Sequence, residues 1–224
     1  MDQNLKNWDL AAERYQAVQA ENRDSDNNEK LVQGRFQTLR GKRVLDVGCG
    51  YGQYTDYFRR IGAEVIGCDG APSMLALARA AYPDCRFDQV DLMDRLPYED
   101  GGFDLLFCNQ VLMDLPVLEG LFGEFFRVLS SGGTLYLAIV HPMTYPGKWV
   151  EDESGKKIAK QLKDYTKTYS ITHTFCGVTE HYHRPVSVYL NLAADTGFRL
   201  VRMEEPDNGD AGLPLFLVME FRKD

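Results

Sequence analysis

The chain has 224 residues, 44% of them hydrophobic and 26% charged, and a formal net charge of −8. That length and balance suit one soluble α/β domain with a sizeable core, and no apolar run is long enough to span a membrane. The acidity argues against a nucleic-acid backbone as partner and favours a small molecule. Five cysteines, odd in number and without C-x-x-C spacing, read as buried thiols of a cytoplasmic protein, and no metal site is expected.

In chain order, Leu5, Trp8, Ala12, Tyr15 and Val18 recur at helical spacing, so residues 5–20 predict an amphipathic helix. The polar run 21–30 reads as a connector, and 31–39 as a second short helix. From Gly41 to Val140 strand and helix patterns alternate, as in a parallel sheet covered on both faces. Strands are expected at Val44–Val47, 63–69, 85–92, Phe103–Cys108 running on to Asn109, and 134–140. The intervening helices begin near Gln53, at Pro72 and before Glu119, the last being stopped by SSGG at 130–133. Residues 143–183 break the rhythm. They carry the aromatics Tyr145, Trp149, Tyr165, Tyr169, Phe175 and Tyr182 and a series of lysines, more often a solvated helix face than an anion site. YSITHTF and VTEHYHR predict a hairpin turning at Cys176-Gly177, with His173 opposite Glu180 and with Thr174, Thr179, His181 and His183 on the other face. Pro185 opens a helix, and two strands follow at 198–203 and 214–221.

The stretch RVLDVGCGYGQYT (43–55) organises the rest. An apolar strand runs into Gly48, Gly50 and Gly52 at the mouth of a helix, a corner where bare backbone amides face a ligand. The dinucleotide fingerprint G-x-G-x-x-G is not met, because the third glycine comes one residue early. Asp46, two residues before the first glycine, disfavours a pyrophosphate and suits a ligand bearing an ammonium or sulfonium group. Asp69, at the end of the second strand, stands where an acid can hold both hydroxyls of a ribose.

DVGCGYG, VIGCDGAPSM, VDLMDRLPYEDGGFDLLFCNQVLMDL and SSGGTLYLAIVHP, with HRPVSVYLNLAADTGF near the end, resemble successive motifs of class I S-adenosylmethionine-dependent methyltransferases, closest to those acting on small molecules. The resemblance implies a doubly wound, Rossmann-like α/β fold: a seven-stranded, mostly parallel sheet in the order 3-2-1-4-5-7-6, its last strand antiparallel. It implies a single domain, with an N-terminal arm (1–40), a cofactor-binding core (41–141), a cap inserted at 142–184 and a closing helix and two strands (185–224). It further implies that Gly48, Cys49 and Gly50 hold the amino-acid end of the cofactor above Asp46, and that Asp69 and Gly70 take the ribose. Asp91 and Leu92 would take the adenine, with Met74 at its flank. Asn109 would face the sulfonium, and Tyr15 would reach the ligand from a lid. The product would be S-adenosylhomocysteine.

After the fourth strand the chain reads Asn109-Gln110-Val111-Leu112, which lacks the Asn/Asp-Pro-Pro-Tyr/Phe signature of nucleic-acid amino-methyltransferases. It has no Pro-Cys nucleophile either. Transfer of methyl to an oxygen or nitrogen of a small acceptor is therefore expected. Orientation carries most of the acceleration, and a base is needed only where the acceptor must lose a proton. His141, at the end of the fifth strand, and His183, with His181 beside it, are the candidate bases. A nicotinamide oxidoreductase, a cofactor-binding sensor without turnover, and a protein or RNA methyltransferase are the alternatives. The oligomeric state is left open.

Overall fold

The computed structural model describes residues 3–174, 176–206 and 210–224. Helices α1 (Gln3–Gln19) and α2 (Arg23–Arg35) precede strand β1 (Arg43–Val47). There follow α3 (Gln53–Arg60), β2 (Glu64–Asp69), α4 (Pro72–Ala81), β3 (Arg86–Gln89), β4 (Phe103–Asn109), α5 (Glu119–Val128) and β5 (Leu129–Val140). Two hairpins come next, β6 (Lys148–Glu151) with β7 (Lys157–Gln161), and β8 (Tyr169–His173) with β9 (Thr179–His183). Helix α6 (Val186–Thr196), β10 (Phe198–Glu204) and β11 (Phe216–Lys223) close the chain.

The central sheet has seven strands in the order β10-β11-β5-β4-β1-β2-β3. β11 runs antiparallel to both of its neighbours, and the pairs from β5 to β3 are parallel. This is the doubly wound arrangement expected, 3-2-1-4-5-7-6 when only the sheet strands are numbered. The two-residue period of the strands divides the core. Leu135, Leu137 and Ile139 of β5 join Leu106 and Cys108 of β4 under Phe122 and Phe125 of α5 and Tyr189 of α6. Tyr136 and Ala138 face the other way and join Leu105, Phe107, Val32 of α2 and Phe58 of α3. There Phe107 stacks on Tyr136 at 5.1 Å, and Phe58 meets Phe107 edge-on at 4.8 Å. Each such buried ring or leucine stabilises the fold by about 1.5–3 kcal/mol.

Four local expectations are corrected. Residues 23–30 are not connector but the start of the helix that ends at Arg35: Asn22 caps it by accepting from the Asp24 amide at 2.9 Å, and Asp24 and Asp26 lie in its first turn. The SSGG run does not separate helix from strand. α5 ends at Val128, β5 begins at Leu129, and the extra residues form an irregularity where pairing jumps from Phe103↔Leu129 to Leu105↔Thr134. The lysines of 148–161 lie on the β6–β7 hairpin and not on a helix. Two of them, Lys157 and Lys160, sit over the Trp149 ring at 4.9 and 4.5 Å. The second hairpin is shifted by one residue: Thr172 pairs with Glu180 and His173 with Thr179, because the strands end at His173 and Thr179 and do not run on to Cys176-Gly177. The slip carries His173 onto the face shared by His181 and His183. Phe175 lies outside the described residues.

Candidate functional site

The C-terminal edge of β1, β2 and β4 opens into a cavity of about 490 Å³. Its floor is the turn after β1. Gly48, Gly50 and Gly52 all take positive φ, +67°, +53° and +85°. A side chain at Gly48 would place its Cβ 2.4 Å from Val111 Cγ2, whereas over Gly50 the nearest atom would be Met74 Sδ at 4.0 Å, so the backbone there is open to a ligand. Asp69, last residue of β2, accepts from the amides of Gly50 and Ala71, each at 2.9 Å. The carboxylate is thereby fixed against the turn. Burial pushes its pKa up, and those amide bonds pull it back.

Cys49, Gly70, Met74, Asp91, Leu92, Asn109 and Tyr15 also line the cavity. Gly70 is tight for a different reason: a Cβ there would meet Leu5 of α1 at 2.8 Å. Tyr15 packs edge-on against Trp8 at 5.2 Å, and burial raises its pKa. The side-chain oxygen of Asn109 is buried and has no partner, as has the side-chain nitrogen of Gln110. Gln110 itself is held at φ +59°, a strained conformation for a residue other than glycine, at the point where the chain leaves β4. Buried polar atoms without partners, aimed into a cavity, are what a polar ligand satisfies.

Three expected residues lie elsewhere. Asp46 does not reach the cavity. Alternation along β1 turns it, with Val44, toward α3, where it accepts from Thr55 Oγ1 at 2.6 Å. Burial pushes its pKa up to about 7. It underpins the turn from below and does not face the ligand. His141, 2% exposed, spends both ring nitrogens on the protein: Nε2 faces Glu205 Oε1 at 2.9 Å, and Nδ1 accepts from the Met143 amide at 3.2 Å. His183 donates from Nε2 to the Tyr165 carbonyl at 2.9 Å and packs on the Tyr169 ring. Neither histidine lines the main cavity, so neither is placed to act as a base there.

A different cluster does line it. Tyr145, His173, His181 and Asp114 converge on the wall opposite the glycine turn. The Tyr145 hydroxyl lies 2.7 Å from His181 Nδ1 and contacts His173 Nε2, and His181 Nε2 lies 3.1 Å from Asp114 Oδ1. The His173 ring stacks on Tyr145 at 5.3 Å. Asn4 of α1 ties the wall together, donating to the carbonyls of Asp114 and Glu180 (2.8 and 2.9 Å) and accepting from the Glu180 amide (2.8 Å). Arg184 clamps the same loop by donating to the carbonyls of Leu112, Leu115 and Pro116.

Comparison with known proteins places this geometry. A family model described as "Methyltransferase domain" matches residues 45–137. A solved S-adenosylmethionine-dependent methyltransferase from Mesorhizobium loti superposes with a TM-score of 0.74 at 26% identity, covering 91% of this chain and 99% of that one. Residues 45–137 are a methyltransferase domain, and the fold around them is that of an S-adenosylmethionine-dependent methyltransferase. A Haemophilus influenzae protein of uncharacterized role is 28% identical over 75% of this chain and 71% of its own length. A trans-aconitate 2-methyltransferase of Escherichia fergusonii is 36% identical over 48% of this chain, which spans only 40% of that relative.

The cofactor of this methyltransferase is therefore S-adenosylmethionine, and the site suits it on its own chemistry. The open backbone at Gly50, the fixed carboxylate of Asp69 and the unpartnered Asn109 oxygen offer acceptors and amides to a zwitterion with a ribose. Among the described side chains no lysine or arginine lines the cavity, so a pyrophosphate has no countercharge there. No described helix is long and apolar enough to cross a membrane. Sequence reading did not single out Asp114 or pair Tyr145 with His173 and His181. The available signal was the density of histidine and tyrosine between 145 and 183, and the hairpin register that decides which of them face inward is not local information.

Proposed function

We propose that the protein transfers a methyl group from S-adenosylmethionine to an oxygen or nitrogen atom of a small-molecule acceptor, and that residues 142–184 with the N-terminal arm 1–40 act as the cap over the core 41–141. The observation that carries this reading is the cavity itself. It begins at the glycine turn and ends on side chains of α1 and of the β8–β9 hairpin, so an acceptor bound there is enclosed on the cofactor's far side. An enclosure of this size fits a small molecule. The relatives named for methylation of trans-aconitate support the same substrate scale.

In this reading Gly48, Cys49 and Gly50 hold the amino-acid end of the cofactor, Asn109 faces the sulfonium, and Asp69 with Gly70 holds the ribose. Asp91, Leu92 and Met74 hold the adenine, and Tyr15 closes the mouth. Asp46 acts only by stiffening the turn. Bound there, the cofactor supplies an electrophilic methyl on a good leaving group. The chain's own residues align the acceptor, exclude water and accept its proton.

The test is calorimetry with S-adenosylmethionine, S-adenosylhomocysteine and NADH on wild type and Asp69→Ala. Both adenosyl ligands should bind, NADH should not, and Asp69→Ala should weaken binding at least about tenfold, since it loses both a ligand contact and the carboxylate that fixes Gly50. Binding of NADH alone would overturn the reading. Tight cofactor binding with no S-adenosylhomocysteine formed from any small molecule would replace it with a sensor.

A further inference from the structure

Resting on the methyl-transfer reading, we propose that Tyr145, His181 and Asp114 form a proton relay at the acceptor end of the cavity, and that the acceptor is an uncharged hydroxyl compound.

The geometry gives the direction of the relay. His181 Nε2 faces the Asp114 carboxylate at 3.1 Å, which leaves Nδ1 to accept from the Tyr145 hydroxyl at 2.7 Å. Asp114 Oδ1 is shielded from solvent, and while burial pushes the carboxyl's pKa up, the facing His181 ring pulls it back. His173 contacts the same hydroxyl, and burial and its neighbour His181 press its pKa down to about 4. It therefore stays neutral and can donate to the phenolic oxygen without adding charge. The phenol is left with one oxygen lone pair facing a cavity that Met113 and Leu215 also line.

In the step itself the acceptor oxygen bonds the methyl carbon as the carbon–sulfur bond breaks, and that electron pair stays on sulfur as the thioether. The acceptor's proton passes to the Tyr145 oxygen while the tyrosine's own proton moves to His181 Nδ1. The resulting imidazolium is balanced by Asp114. Tyr145 is thus the catalytic residue. His181 and Asp114 act through it as positioning residues.

The acceptor's charge follows from the walls. Among the described side chains no lysine or arginine faces the cavity, while Asp69, Asp91 and Asp114 do, so a carboxylate or phosphate on the acceptor would be desolvated without a partner. A polycarboxylate such as the acceptor in the name of the trans-aconitate relatives fits poorly for that reason. An ammonium fits poorly too, because the phenol gives its proton to His181 and the Asp114 carboxylate faces the other side of that ring at 3.1 Å.

The experiment uses the full chain with methyl-labelled S-adenosylmethionine and three probe pools of matched size: phenols and alcohols, primary and secondary amines, and di- and tricarboxylates including trans-aconitate. Formation of S-adenosylhomocysteine is expected with the hydroxyl pool, with Tyr145→Phe and His181→Gln each lowering turnover about 100-fold or more while affinity for S-adenosylhomocysteine stays within about twofold. Independently of any acceptor, histidine ¹⁵N spectra of the S-adenosylhomocysteine complex at neutral pH should show His181 as the Nε2–H tautomer, and Asp114→Asn should change that pattern. Methylation of carboxylates or amines in preference to hydroxyls, silence of all three pools, full turnover in Tyr145→Phe, or an Nδ1–H tautomer at His181 would each overturn the relay. Loss of S-adenosylhomocysteine binding in wild type would instead remove the cofactor reading beneath it.

Discussion

The turn between β1 and α3 and the segment between β5 and α6 line the same cavity by different means. In the turn the ligand-facing chemistry is backbone: three glycines at positive φ and amides held in place by the Asp69 carboxylate. Across the cavity it is side chain: two imidazoles, a phenol and a carboxylate brought together by a hairpin and a short helical turn after β4. Backbone sites are specified by which residues a conformation permits, and so they leave a spacing in the sequence. Side-chain sites are specified by register and packing, where a shift of one residue exchanges one histidine for another.

The contrast can be broken hardest at the turn. Gly48→Val would force a side chain into φ +67° and drive its Cβ against Val111, 2.4 Å away. The left-handed strain and the overpacking each cost about 1–3 kcal/mol. Calorimetry should show binding of S-adenosylhomocysteine weakened at least about 100-fold, and a denaturant melt should show lost stability. Retained affinity would mean that the turn is not the cofactor's seat.

Asp46 sharpens the contrast from beneath the turn, because its role there predicts a pH signature. Its folded-state pKa is raised from 3.8 to about 7, chiefly by burial. The native state therefore holds a proton that the unfolded state has released between about pH 4 and 7, and stability falls as pH rises through that window. The span amounts to on the order of 4 kcal/mol as an upper bound. Asp46→Asn should flatten the slope, so urea melts at several pH values should show the variant overtaking wild type toward neutrality. Parallel slopes in the two proteins would show that Asp46 is ionised throughout.

Smaller effects are expected where the two regions are joined. Asn4→Ala removes three hydrogen bonds linking α1 to the loop after β4 and to the β8–β9 hairpin, and leaves buried backbone groups without that partner. The expected loss is about 2 kcal/mol. It should be accompanied by faster amide exchange across Thr179–His183 and little change in β1 or β4. Uniform loosening of the whole chain would mean that the hairpin and the sheet open as one unit.

How much of this was legible follows from the same distinction. The glycine turn, the strand ends bearing Asp69 and Asn109, and the sheet order could be read because alternating hydrophobic runs and conformational demands are local. The direction of Asp46 was also readable, since it alternates with Leu45 and Val47, whose side chains enter the opposite half of the core. The first two turns of helix α2 were hidden because Val32 is its deepest apolar contact, so they show no periodic stripe, only a capping Asn22. The hairpin misled because Cys176-Gly177 imitates a two-residue turn inside a longer loop, and that one slip put His173 on the face away from His181.

His141 offers the gentlest test and the most direct one. It sits at the end of β5, one of the strand ends that in this fold face ligands, yet Nε2 donates to Glu205 and Nδ1 accepts from Met143. A neutral imidazole with both nitrogens satisfied by protein has nothing left to offer an acceptor. Glutamine at 141 keeps an amide near the same place, so His141→Gln should cost about 1 kcal/mol, a few degrees or less in Tm for a chain of this size. Turnover should stay within about threefold of wild type, whereas His181→Gln on β9 should lose it. If His141→Gln instead removed turnover with S-adenosylhomocysteine affinity intact, the proton would leave through the sheet edge. The division between a backbone half that binds and a side-chain half that reacts would then fail.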